Sequence, residues 1–169
     1  MGFLDAELLE KDRKTRWLTP APIVEALGEF DLDPCGAPGH ALAETTYQID
    51  DGQDGLKLPW DGRVWCNPPY GREAVPFMRR MAEHNNGTAL IFARTETAMF
   101  FESVWNAASG ILFLKGRVKF GHENGDLAKF PASAPSCLVA YGDADADILK
   151  NSGLDGKFID LRNTSEGIE

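Results

Sequence analysis

The chain has 169 residues, 43% of them hydrophobic and 25% charged, and a net charge of −9. That length suits one domain with a full hydrophobic core, and the proportions are those of a soluble globular protein. The negative charge argues against strong nonspecific adhesion to nucleic acid, which depends on phosphate contacts, though it leaves room for a local basic face. Cys35, Cys66 and Cys137 are scattered, and no Cys-x-x-Cys or His/Cys ligand spacing occurs, so no metal is expected. No apolar run approaches a membrane span, and residues 1–10 lack the order of a secretion signal, which points to a cytoplasmic protein.

Residues 1–15 read as an N-terminal arm or amphipathic helix carrying Lys11, Arg13 and Lys14, and residues 16–169 as a single domain. Thr19-Pro20 predicts a helix start, with Thr19 as cap and Pro20 in the first helical position. Ile23, Val24 and Leu27 give that helix its apolar face, and Gly28 closes it. Residues 30–33 alternate as a strand and Pro34 stops them. Residues 35–62 are long for an unstructured loop, so a short strand is expected near 45–49. Residues 63–66 form the next strand, followed by a helix over 73–84 with Val75, Met78 and Ala82 inward. The apolar run 88–93 predicts a central parallel strand covered on both faces. A helix over 96–108 and a strand over 111–114, with 118–120 as a candidate extension past Gly116, come next. Residues 137–141 and 158–161 are late strands. Strand and helix alternate, which predicts an α/β fold: a parallel-rich sheet with helices on both faces.

Asn67-Pro68-Pro69-Tyr70 follows the strand over 63–66. This combination at a strand end suits methylation of a planar, amide-like nitrogen such as the exocyclic amine of adenine. That amine is a poor nucleophile because its lone pair is delocalised into the ring. The Asn67 side-chain carbonyl and the Pro68 backbone carbonyl can each accept one of its N–H groups and turn the lone pair toward an incoming methyl group. The prolines hold the backbone carbonyl rigidly, and Tyr70 offers a flat face for the target ring. Asn-Pro and Pro-Pro also mark ordinary turns, but ligands of open α/β sheets bind beyond strand ends of this kind.

Other residues sort around this motif. Asp33, at the end of the first strand, suits the amino group or ribose of a cofactor, and Pro34 and Cys35 open the loop that would line it; Asp31 is equally suited to capping a turn. Of Asp50, Asp51 and Asp54, the last is the choice for ribose hydroxyls. Arg94, past the central strand, either holds a phosphate or stacks near the base, or pairs with Glu96 or Glu102. Lys115, Arg117 and Lys119 would share one face of an extended segment, as a basic stripe for a nucleic-acid backbone or as a charged edge. Trp17 either stacks on an adenine ring or staples the helix. His40, His84 and His122 are expected at the surface, and Cys66 and Cys137 in the core.

The ordered set Trp17-Leu18-Thr19-Pro20, Phe30-Asp31-Leu32-Asp33-Pro34-Cys35, Asp54-Gly55-Leu56 with Trp60, Asn67-Pro68-Pro69-Tyr70, Ala93-Arg94-Thr95-Glu96-Thr97 and Lys115-Gly116-Arg117-Val118-Lys119-Phe120 resembles the phage-type DNA N6-adenine methyltransferases. The resemblance covers roughly residues 16–141. It implies a three-layer, Rossmann-like fold using S-adenosylmethionine, with Asn67, Pro68, Pro69 and Tyr70 as the catalytic motif. It also implies that Asp33 and Trp17, Thr19 and Pro20 lie at the cofactor, and that DNA is the partner. Family members are typically encoded by phages or prophages and act in the bacterial cytoplasm. Only about 30 residues separate the Asp33 loop from Asn67, short for a βαβ unit, so a helix of the cofactor-binding half is in question. No separate target-recognition domain is expected. The same motif chemistry also suits an RNA adenine or a protein glutamine amide, and an inactive DNA-binding homologue is a third reading.

Overall fold

A computed structural model of the chain describes residues 18–121 and 134–162. The expected helix near the N-terminus, Trp17 and His122 lie outside these residues.

Seven strands form one mixed sheet in an α/β fold: β1 (Leu32–Asp33), β2 (Thr45–Thr46), β3 (Val64–Cys66), β4 (Gly87–Phe92), β5 (Gly110–Leu114), β6 (Ser136–Tyr141) and β7 (Gly156–Asp160). Their spatial order is β2-β1-β3-β4-β6-β5-β7. The pairs β1/β2, β1/β3 and β3/β4 are parallel, whereas β4/β6, β5/β6 and β5/β7 are antiparallel. The parallel-rich expectation therefore holds for the first half of the chain only. β6 turns back and inserts between β4 and β5, a pairing between distant segments that alternation along the sequence does not encode.

Side-chain parity divides the core. Val64 and Cys66 of β3, with Ala89 and Ile91 of β4, pack on one face against Phe77, Met78 and Met81 of α2 (Ala74–His84) and against Phe100 and Val104. Trp65 and Leu90 face the opposite way, toward Val24 of α1 (Ala21–Glu25) and Ala146 and Leu149 of α4 (Asp143–Lys150). β4 and β6 are thus apolar on both faces. Cys66 and Cys137 are fully buried, and burial pushes the Cys137 thiol up to about 12.

Several elements differ from expectation for local reasons. Pro20, not Thr19, is the residue preceding α1, and no side chain caps that helix; the Thr19 hydroxyl is engaged elsewhere. The inward stripe of α2 is Ala74, Phe77, Met78 and Met81, with Val75 and Ala82 only half-buried, because the large Phe77 and Met81 win the core. The helix expected over 96–108 is shorter: α3 (Ala98–Phe100), capped by the Thr97 hydroxyl, widens into a π-type turn (Phe101–Trp105). Residues 118–120 do not extend β5. The chain turns at Gly116 (φ 76°), and Gly121 pairs with Leu18 instead. α4 was not anticipated: its sequence, Asp143-Ala144-Asp145-Ala146-Asp147, hides a buried stripe of Asp145, Ala146 and Leu149 among acids.

Asp145 is buried because Arg63 meets it, Nε to Oδ1, at 2.5 Å. Arg63 also donates to the Leu27 and Glu29 carbonyls and lies over the Phe30 ring at 4.0 Å. One guanidinium thereby ties α4 to the segment entering β1. Asp31 takes the turn-capping role, accepting the Arg63 N–H at 2.7 Å.

Between β1 and β3 the chain contains no α-helix, only a 3₁₀ turn (Ile49–Asp51). The crossover from β1 to the parallel β2 runs through residues 34–44 without one. This shortness places the Asp33 loop and the end of β3 side by side.

Candidate active site

From β1 the chain moves outward to β2; from β3 it moves the opposite way to β4. The crevice beyond the carboxyl ends of β1 and β3 is therefore a topological switch point, where open α/β sheets take their ligands. A cavity of about 990 Å³ opens there. It is lined by Asp33, Pro34 and Cys35 after β1, by Asn67, Pro68, Pro69 and Tyr70 after β3, and by Asp54, Gly55 and Leu56 from the connecting loop. Leu18 and Thr19 close another side.

The Asp33 side is built tightly. Asp33 is 3% exposed, and its Oδ1 accepts the Cys35 N–H at 3.0 Å, a side-chain-to-backbone turn typical of Asp. Gly55 is required by contact: a Cβ there would lie 2.1 Å from the Pro34 carbonyl oxygen. Arg80 of α2 fixes this loop by donating to the Gly55 and Leu58 carbonyls at 2.9 and 2.5 Å, over the Trp60 ring. The Trp60 indole donates to Gly55 as well, at 2.7 Å. Asp54 is half-buried, accepts the Leu56 N–H at 2.9 Å and sits 3.9 Å from Lys57. Asp50 and Asp51 are exposed on the 3₁₀ turn, off the cavity.

On the β3 side, Asn67 Nδ2 donates to Thr19 Oγ1 at 3.2 Å. With Nδ2 turned to the Thr19 hydroxyl, Oδ1 is left as the amide's acceptor. Tyr70 stacks on Phe92 with ring centroids 4.7 Å apart and planes 18° from parallel, and meets Phe120 edge-on at 6.3 Å. It remains 39% exposed and lines the cavity. Burial of its hydroxyl pushes the Tyr70 pKa above its ordinary value, so the group is a neutral phenol at physiological pH.

The cavity's charge is one-sided. Among the described residues that line it, Asp33, Asp54 and Glu73 are carboxylates and none is Lys or Arg. Such a lining favours a cationic ligand and repels phosphates.

Of the residues singled out from the sequence, Thr19, Asp33, Pro34, Cys35, Asp54, Asn67, Pro68, Pro69 and Tyr70 share this cavity. Pro20, Arg94, Lys115, Arg117 and Lys119 do not line it. Arg94 is exposed at the end of β4, its guanidinium 5.7 Å from the centroid of the Phe92 ring that supports Tyr70. The alternative pairing with Glu102 is taken by Arg79, at 2.9 Å. Lys115 sits in the turn after β5, exposed and 4.0 Å from the equally exposed Asp155. Arg117 and Lys119 keep the expected alternation, exposed while Val118 and Phe120 are buried. Phe120 brings that segment beside Tyr70.

His40, Gln53, Trp65 and Glu73 also line the cavity and were not anticipated as site residues. The histidine expectation is corrected twice. His84 is half-buried, bonded to the Gly62 carbonyl at 2.7 Å and edge-on to Trp60. His40 is half-buried with its Nε2 out of solvent. A sequence signal for His40 existed in Pro38-Gly39, a type II turn pair that folds the next residue back.

Among the described residues, no group of three or more His, Cys, Asp or Glu is placed to hold a metal ion, and no helix is long and apolar enough to cross a membrane. A family model described as DNA N-6-adenine-methyltransferase (Dam) matches residues 7–146. The match ends inside α4 and leaves β7 beyond it. No curated protein matches the chain.

Proposed function

The chain belongs to the DNA N-6-adenine-methyltransferase (Dam) family, and on that premise we propose that it transfers a methyl group from S-adenosylmethionine to the exocyclic N6 of adenine in DNA, on a Rossmann-like scaffold. The observation that carries this reading is the meeting of Asn67-Pro68-Pro69-Tyr70 and the buried Asp33 in one cavity at the switch point.

The residues present fit the cofactor. The cavity is at the upper end of the ~300–1,000 Å³ typical of small-molecule sites, and its carboxylates suit the positive sulfonium and ammonium groups. When bound, S-adenosylmethionine supplies an electrophilic methyl group. Asp33, Pro34 and Cys35 line its berth on the β1 side, and Asp54 offers an acceptor for ribose hydroxyls. Asn67 Oδ1 and the Pro68 carbonyl accept the two N–H groups of the target amine and free its lone pair for the methyl carbon. Tyr70, backed by Phe92, carries the flipped base. Unstacking that base costs a few kcal/mol, which such a platform offsets in part.

Phosphates are kept out of the acidic cavity, so the duplex lies outside. Arg94, beside the Phe92 ring, and Arg117 and Lys119, in the segment whose Phe120 meets Tyr70, supply the backbone contacts. The specific charge of this edge matters because the whole chain is at −9.

The test is transfer of tritium from labelled S-adenosylmethionine to DNA, followed by digestion and identification of the labelled base. Label on N6-methyladenine that Asn67→Ala abolishes supports the reading. Unlabelled adenine with the unaltered chain, or labelling indifferent to Asn67→Ala, overturns it.

A further inference from the structure

On the methyltransferase reading above, we infer that His40 is a cofactor-binding residue: it holds the carboxylate of the amino-acid tail of S-adenosylmethionine. The cofactor's tail is a zwitterion. Its ammonium and sulfonium groups suit the Asp33, Asp54 and Glu73 carboxylates, but its own carboxylate does not. Among the described lining residues there is no Lys or Arg to receive it. Among the described lining residues His40 is the side chain able to carry a positive charge, and it is a donor both as the Nε2–H tautomer and as the imidazolium.

His40 Nε2 is buried and has no hydrogen-bond partner among the described residues. An orphaned buried polar atom carries a free-energy cost that a bound ligand atom removes. A second such atom belongs to the same lining: the indole Nε1 of Trp65, a donor only, which is also buried and unpartnered. Both residues line the cavity, and each carries a nitrogen donor without a partner among the described residues.

The backbone holds His40 firmly. Its N–H donates to the Ala37 carbonyl at 3.2 Å across Pro38-Gly39, with Gly39 at φ 71°, the pattern of a type II turn. The Ala37–His40 pairing is an antiparallel bridge. This turn begins four residues beyond Asp33, so one loop presents a carboxylate for the ammonium and an imidazole for the carboxylate.

The test measures equilibrium binding by calorimetry, with no turnover required. The ligands are S-adenosylmethionine, decarboxylated S-adenosylmethionine, which lacks only the carboxylate, and 5′-methylthioadenosine, which lacks the whole tail. His40→Ala is expected to weaken S-adenosylmethionine about ten- to hundredfold, the usual worth of a charged hydrogen bond, while leaving the other two within about twofold. His40→Gln, which keeps a donor, is expected to recover part of the loss and guards against a folding defect in the alanine variant. Equal weakening of all three ligands, or no weakening of S-adenosylmethionine, overturns the assignment. Failure of the unaltered protein to bind S-adenosylmethionine at all overturns the methyltransferase reading and the role of His40 with it, an outcome distinct from the other two.

Discussion

Asn67 and Thr19 lie 48 residues apart in the chain and meet through a single hydrogen bond, Nδ2 to Oγ1, at 3.2 Å. The bond explains why Thr19, placed by its sequence as a helix cap, caps nothing. It also holds the Asn67 amide in place, with Nδ2 toward Thr19. An amide free to flip would present N–H groups to the target amine as often as a carbonyl, and two donors facing each other repel. Thr19→Val keeps the side chain's shape and removes the acceptor. The single-turnover methylation rate is expected to fall about tenfold, the worth of one such bond, while Thr19→Ser stays near the original rate. Equal rates for Thr19→Val and the unaltered protein would show that the bond orients nothing.

Tyr70 separates stacking from acid–base chemistry. Its ring is supported by Phe92, and its hydroxyl pKa is pushed up by burial, so no proton leaves it near neutral pH. Tyr70→Phe is expected to keep activity within about twofold at every pH between about 6 and 9, since the stacking face is unchanged. Tyr70→Ala removes a base-stacking contact of about 1–3 kcal/mol, so DNA affinity should drop about ten- to hundredfold while cofactor affinity holds. Fluorescence anisotropy with a labelled duplex reads the first and calorimetry the second. A pH-dependent defect in Tyr70→Phe would contradict the stacking role.

Asp33 does two jobs that one substitution pulls apart. Its Oδ1 holds the Cys35 N–H, and its charge faces the cavity. Asp33→Asn retains an acceptor for Cys35 and loses only the charge. The loop and the melting temperature should survive, with S-adenosylmethionine binding weakened about ten- to hundredfold, as for a lost charge-assisted bond. A fall in melting temperature with unchanged affinity would make Asp33 a purely structural residue.

Arg117 and Lys119 are expected to contribute to DNA binding regardless of sequence. The double variant Arg117→Gln, Lys119→Gln should lower the slope of log affinity against log salt by about two, at roughly 0.9 per lost phosphate contact. An unchanged slope would leave the pair as a charged edge and nothing more.

Much of this site was legible because its parts are local. Asn67-Pro68-Pro69-Tyr70 is contiguous, and its place after an apolar run at 63–66 fixes it at a strand end. Asp33 was legible for the same reason, since Pro34 stops the strand beside it. The missing helix between β1 and β3 followed from chain length alone. What escaped notice depends on distant partners. Asp145 looks like a surface acid until Arg63, just before β3, is brought to it, and with it went the whole of α4. The antiparallel insertion of β6 pairs Ala89 with Val139 and Leu90 with Leu138, contacts that no local period reveals. Lys115 shares the parity of Arg117 and Lys119, yet the left-handed Gly116 turns the chain between them. His40 reads as a surface residue because a lone histidine carries no periodic signal; only the Pro38-Gly39 turn before it does.

The far edge of the sheet carries a pH-sensitive clasp. Arg162 grips Asp160 of β7 with Nε and Nη2, at 3.0 and 2.8 Å, and its Nη1 reaches Asp147 of α4 at 2.9 Å. The Arg162 side-chain bonds, and then its backbone N–H, hold the Asp160 carboxyl down to about 2. The unfolded chain would protonate the same carboxyl at about 3.9. Because the folded value is the lower one, the clasp stabilises the fold above about pH 4, and its contribution is lost as the pH falls from about 4 to about 2. Arg162→Ala should therefore lower the melting temperature near neutral pH, and the gap between the variant and the original should close as the pH is lowered through that window. High salt should narrow the gap too, since the groups are partly exposed and screened. Melting curves at pH 7, 4 and 3 decide it: a gap that stays constant down to pH 3 would mean that Arg162 acts by packing its stem rather than through Asp160.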